Sequence, residues 1–68
     1  ISTSVKITSQ SISVEDTEAL IEVYDMNGRM ITSGIGKIDL IGLPASIYVY
    51  RALDSEGTLL SQGKFPKL

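Results

Sequence analysis

The sequence predicts an all-β fold, a seven-stranded antiparallel β-sandwich, and three observations carry that expectation. Apolar residues recur with period two in seven short runs, the spacing of strands with one buried face. No segment carries a helical stripe longer than two turns; residues 15–20 are the one candidate, too short to stand alone. The connections are only a few residues long and rich in Gly, Asp, Asn and Pro, which favours an antiparallel meander or a Greek-key arrangement.

Taken in order, Val5 and Ile7 alternate with Lys6 and Thr8 in the first run, and Ile12 and Val14 with Ser11, Ser13 and Glu15 in the second. Ala19, Ile21 and Val23 share one face of the third run, with Glu22 opposite. Residues 29–33 form the fourth. In the fifth, Ile38 and Leu40 alternate with Lys37 and Asp39. Residues 46–53 are the strongest strand, because Ile47, Tyr48, Val49 and Tyr50 are all β-branched or aromatic. Residues 58–65 complete the set. Between the fifth and sixth runs, Gly42 and Pro44 stop one strand before Ser46 starts the next.

Two turns share one chemistry. Asp25-Met26-Asn27-Gly28 and Asp54-Ser55-Glu56-Gly57 each place an Asp where its carboxylate can accept backbone N–H groups, and a Gly where the chain needs positive φ. The turns lie 29 residues apart, and at that offset Val23 matches Ala52, Ile31 matches Leu60, Thr32 matches Ser61 and Gly34 matches Gly63. We read two hairpins of one design. The shared demands of tight hairpins account for most of the likeness.

Composition removes whole classes of function. A chain of 68 residues holds a single domain, residues 1–68, and 43 % hydrophobic content is enough for a core and too much for wholesale disorder. Eight acids against six bases leave no basic face for phosphates, so nucleic acid is not an expected partner. No apolar run approaches the ~18 residues of a membrane span. Without Cys or His there are no disulfides, no thiolate or imidazole metal ligands, and no imidazole to activate the abundant hydroxyls. A Ser–Lys dyad through Lys6, Lys37, Lys64 or Lys67 would need a buried lysine, and so small a domain offers little interior. We therefore expect no enzyme, no metal and no cofactor. The chain begins at Ile1 with nothing like a signal peptide, which points to a domain of a longer protein.

Several side-chain groups invite a site. Residues 14–18 (Val14, Glu15, Asp16, Thr17, Glu18) are the densest acidic cluster, but lack the alternating spacing of a calcium loop and read as a solvated turn. Tyr48 and Tyr50 share a strand face and could stack a ligand; a place in the core is the expected role. The end, Lys64-Phe65-Pro66-Lys67-Leu68, puts basic residues on an acidic domain, either as a partner's handle or as guards on an edge strand.

The run Ile21-Glu22-Val23-Tyr24-Asp25-Met26-Asn27-Gly28-Arg29, continued by Ile38-Asp39-Leu40-Ile41-Gly42-Leu43-Pro44-Ala45-Ser46-Ile47-Tyr48, then by Asp54-Ser55-Glu56-Gly57 and by Ser61-Gln62-Gly63-Lys64-Phe65, resembles the C-terminal sorting domain of the type IX (Por) secretion system. That family reads V-Y-D-x-x-G-[KR], then I-D-L-S-x-L-P-x-G-x-Y, then a D-x-x-G hairpin and a last strand with lysine. The likeness runs from Ile21 to Lys67. Its pattern falls on Asp25, Gly28, Arg29, Asp39, Leu40, Leu43, Pro44, Tyr48, Asp54, Gly57, Gly63, Lys64, Phe65 and Lys67.

The resemblance implies an immunoglobulin-like sandwich at the end of a larger secreted protein. A signal peptide would carry that cargo to the periplasm, an outer-membrane translocon would recognise the domain, and a surface sortase would remove it and attach the cargo at the cell surface. The domain would be bound and cut, through strand edges and a protruding tail over residues 63–68. The alternative from a different class is a small secreted or periplasmic β-sandwich accessory module, which would need Tyr24, Tyr48 and Tyr50 as an exposed platform. The family pattern also sets two local expectations. Ser46 replaces its glycine, so a left-handed backbone there would cost about 1 kcal/mol or relax. Pro66 lacks an N–H, so strand pairing should end near Phe65.

Overall fold

β-Branched and aromatic side chains at alternate positions pack best on a pleated surface with one covered face, and the chain folds accordingly. The computed structural model describes residues 5–8, 10–15 and 18–67. Over these residues it is all-β: β1 (Val5–Ile7), β2 (Ser11–Val14), β3 (Leu20–Tyr24), β4 (Met30–Ile35), β5 (Lys37–Asp39), β6 (Ser46–Leu53) and β7 (Leu59–Lys67). No helix forms among the described residues. Leu20 opens a strand, while Asp16, Thr17 and Leu68 lie outside the described residues.

The strands make two antiparallel sheets, three-stranded β1-β2-β5 and four-stranded β4-β3-β6-β7. The pairing of β2 with β5 and of β3 with β6 excludes a simple meander, because strands distant in sequence are neighbours in space. One core serves both sheets. Ile12, Val14 and Ile38 of the first are buried in a single cluster with Ile21, Val23, Tyr48, Tyr50, Ala52 and Phe65 of the second. Leu40, in the connection between them, is fully buried in the same cluster. The chain, having passed from the three-stranded to the four-stranded sheet between β2 and β3, returns at Gly36, whose φ of 76° lets one residue turn the corner from β4 to β5. Gly36 N–H donates to the Ala19 carbonyl at 2.8 Å, and its own carbonyl accepts from Val14 N–H at 3.0 Å.

Within the four-stranded sheet the two hairpins are congruent. Asp25 Oδ1 accepts from the N–H groups of Asn27 and Arg29 at 2.9 Å each, and Asp54 Oδ1 from Glu56 and Thr58 at 2.9 and 2.8 Å. Gly28 and Gly57 close the turns at φ 83° and 86°. A register shift occurs at the same place in each, between Val23 and Tyr24 and between Ala52 and Leu53. Because β3 and β6 pair antiparallel with Glu22 opposite Arg51, a pseudo-two-fold axis normal to the sheet passes through that pair. It relates Leu20 to Val49, Ile21 to Tyr50, Val23 to Ala52 and Gly34 to Gly63, and sends the two turns to opposite ends.

Two expectations are corrected. Pairing does not end near Phe65: Pro66 stands opposite Ile47 and Lys67 opposite Ser46. As β7 is an edge strand, a proline can sit in it with its missing donor on the unpaired side. The tail accordingly does not protrude. Gly63 is half-buried, Phe65 only 3 % exposed, and the segment is a paired edge through Lys67. Ser46 relaxes, since no described non-glycine residue takes positive φ.

Candidate functional site

Topology decides which sequence motifs meet. β3 runs into the turn at 25–29, and β6, antiparallel to it, begins beside that turn. The loop at 40–45 leads into β6, and the last residues of β7 pair with the first of β6, so both lie at this same end. Asp25, Gly28, Arg29, Asp39, Leu40, Leu43, Pro44, Tyr48, Phe65 and Lys67 therefore gather at one end, although they span much of the sequence. Lys64 lies just inside them, opposite Val49. Asp54 and Gly57 do not join them; the pseudo-two-fold places their turn at the opposite end.

Most of these residues are occupied by the fold. The Asp and Gly pairs build turns. Leu40 is buried and Leu43 packs against the core, with Leu43 N–H donating to the Leu40 carbonyl at 3.1 Å. Tyr48, 4 % exposed, donates its hydroxyl to the Pro44 carbonyl at 2.6 Å and so ties the loop at 40–45 to β6. Its ring lies 5.9 Å from that of Phe65. Gly63 stands opposite Tyr50, and a Cβ there would lie 3.2 Å from the Tyr50 ring. The exposed members at this end are Gly28, Arg29, Asp39, Pro44 and Lys64.

Tyr48 and Tyr50 take the core role. Tyr50 is 9 % exposed and its hydroxyl shares a hydrogen bond of 2.9 Å with the Ser61 hydroxyl. Tyr24 points away from both, on the outward face of β3, where its hydroxyl donates to Glu22 Oε1 at 3.0 Å. No three-tyrosine platform exists. Lys6, Lys37 and Lys64 are exposed and Lys67 is half-buried, so none of these lysines is withdrawn from water as a Ser–Lys dyad requires. Among the described residues no group of three or more Asp or Glu side chains lies close enough to hold a metal.

A concavity lies beside the motif end, on the outward face of the four-stranded sheet. It is an open groove of about 440 Å³, within the size range of ligand sites. Tyr24, Val49 and Met26 form its apolar floor; Asp25 and Gly28 bound it on the turn side, Arg51 and Lys64 on the other. Arg51 is met by Glu22 at 3.8 Å, whereas Lys64 enters no ion pair among the described residues. Period-two alternation marks Tyr24, Val49 and Lys64 as one face, but nothing in the sequence shows that β3, β6 and β7 are neighbours, so the groove is not legible there. The fold and the groove thus define an all-β domain of two antiparallel sheets that carries an apolar, cation-rimmed depression. No family model, curated protein or solved structure matches the chain.

Proposed function

We propose that the chain is a sorting domain of the type IX secretion route, an immunoglobulin-like sandwich that serves as the removable C-terminal address of a larger cargo. The observation that carries the reading is the gathering of the motif residues. Segments around Arg29, Leu43-Pro44 and Lys64–Lys67, far apart in sequence, lie toward the same end of the two sheets. A translocon that reads the pattern would then read a folded surface. A surface sortase would act after it, with the cargo delivered through the periplasm and outer membrane to the cell surface.

Strand order supports the immunoglobulin-like part of this reading. Lettered A to G in chain order, the sheets are ABE and DCFG, against ABED and CFG in a constant-type immunoglobulin domain. The difference is one strand, β4, which sits on the other sheet. The Tyr48 hydroxyl bonding back to Pro44, at the connection between the fifth and sixth strands, matches the tyrosine corner of such sandwiches in place and partner. Burial of Tyr48 and Tyr50 weighs against the accessory-module alternative, because a flat aromatic platform needs those rings outside.

A reporter carrying a signal peptide and followed by this chain, expressed in a type IX-competent host, tests the proposal. Surface delivery is expected. Arg29→Glu, at the motif end, should abolish it, while Glu56→Lys, in the opposite turn, should leave it intact. A reporter retained in the periplasm with the domain folded and uncut would overturn the reading.

A further inference from the structure

The outward face of the four-stranded sheet is apolar over most of its extent, although the three-stranded sheet packs only on the inward face. Its side chains lie in rows across the strands. One end row is wholly aliphatic, Ile35, Leu20, Leu53 and Leu59, with Ile35 61 % and Leu59 43 % exposed. The central row holds Glu22 beside Arg51, flanked by Ser33 and Gln62. The third is Met30, Tyr24, Val49 and Lys64.

We infer that this face binds a second copy of the chain, in an isologous dimer whose two-fold axis lies in the interface, parallel to the strands and midway between β3 and β6. The charge pattern selects both partner and axis. This axis lays β3 on β6 of the second copy, so Glu22 meets Arg51 and Arg51 meets Glu22; four charges then alternate in sign. It also lays the aliphatic row on itself reversed, Ile35 on Leu59 and Leu20 on Leu53. Lys64 falls on Met30, with its aliphatic stem over the thioether and no like charge opposite. An in-plane axis across the strands would instead set Glu22 on Glu22 and Arg51 on Arg51, which is repulsive. The inference stands independently of the sorting role.

Four strands about 4.8 Å apart and six residues of about 3.3 Å each give roughly 400 Å² of sheet plane per copy, at the small end of specific interfaces. The dimer is therefore weak and concentration-dependent. Sedimentation velocity of the chain from low micromolar to millimolar concentration should show a reversible shift from monomer to dimer. Ile35→Lys places on β4 the residue type that β7 already carries at its equivalent position, and should weaken association at least about tenfold. Because Ile35 is largely exposed, the variant should keep the wild-type circular dichroism spectrum. Glu22→Arg alone sets like charges across the interface and should also weaken it, and Glu22→Arg with Arg51→Glu should restore it. Monomer at every concentration overturns the inference and leaves the face to an upstream domain or another partner. So does a dimer indifferent to both Ile35→Lys and Glu22→Arg, since it would use another surface.

Discussion

The hairpin of β3 and β4 and the hairpin of β6 and β7 share turn, register shift and cross-strand pairing, and then part company at one position. At Gly36 the first hairpin ends, and the chain swings into the other sheet. Its counterpart 29 residues on, Phe65, stays in the strand and enters the core. The residue before differs in the same sense: Ile35 leaves the β4 edge without charge, whereas Lys64 guards β7, an edge that Pro66 and Lys67 then continue. Turn chemistry is what two hairpins must share to fold, so it repeats. The residue at the end of the shared pairing, Gly36 or Phe65, assigns each hairpin its place: one hands the chain on to β5, the other closes the core.

The largest effect should come from removing that distinction. Phe65→Ala deletes a ring 5.9 Å from Tyr48 and 6.3 Å from Tyr50, in a position only 3 % exposed. The loss is expected to be about 3–5 kcal/mol, comparable with the whole stability of a domain this size. Thermal unfolding should accordingly show the variant largely unfolded near body temperature. A melting curve close to wild type would mean that β7 contributes little to the core.

The next effect is smaller and should be equal in the two hairpins. Each turn Asp accepts two backbone N–H groups at 2.8–2.9 Å, so Asp25→Ala and Asp54→Ala should each cost about 1–2 kcal/mol in urea titrations. Because the turns lie at opposite ends of the sheet, the double variant should show the sum to within about 0.5 kcal/mol. A marked inequality would show that the resemblance of the turns is geometric without being energetic.

Local chemistry explains how much of the fold is legible in the sequence. The strand runs and both Asp–Gly turns come from period-two burial and from the few residue types that close a tight turn, and β6 falls on residues 46–53 as expected. Pairing partners are not fixed in this way, because alternation sets which face a residue takes but not which strand lies beside it. The pseudo-two-fold, the outward groove and the apolar rows all depend on β3 lying beside β6. Gly63 shows the same limit: its sequence context suggests a contact residue, yet its place opposite Tyr50 makes it the space in which that ring lies. Pro66 misleads in the other direction, since a missing donor stops an interior strand but not an edge.

The smallest effect belongs to the one point where the two hairpins meet on their own axis. Exact symmetry would put identical residues at 22 and 51, and two like charges directly opposite would repel. Glu22 and Arg51 break the symmetry there and attract instead. The pair is 3.8 Å apart with the Arg51 side chain 43 % exposed, so solvent screens most of the attraction. A double-mutant cycle with Glu22→Gln and Arg51→Met, measured on dilute monomer, should give a coupling well under about 1 kcal/mol. A larger coupling would mean that Tyr24, whose hydroxyl holds the same Glu22 oxygen at 3.0 Å, fixes the carboxylate firmly enough to make the ion pair structural. A small one leaves the charges to act outward, on whatever meets that face.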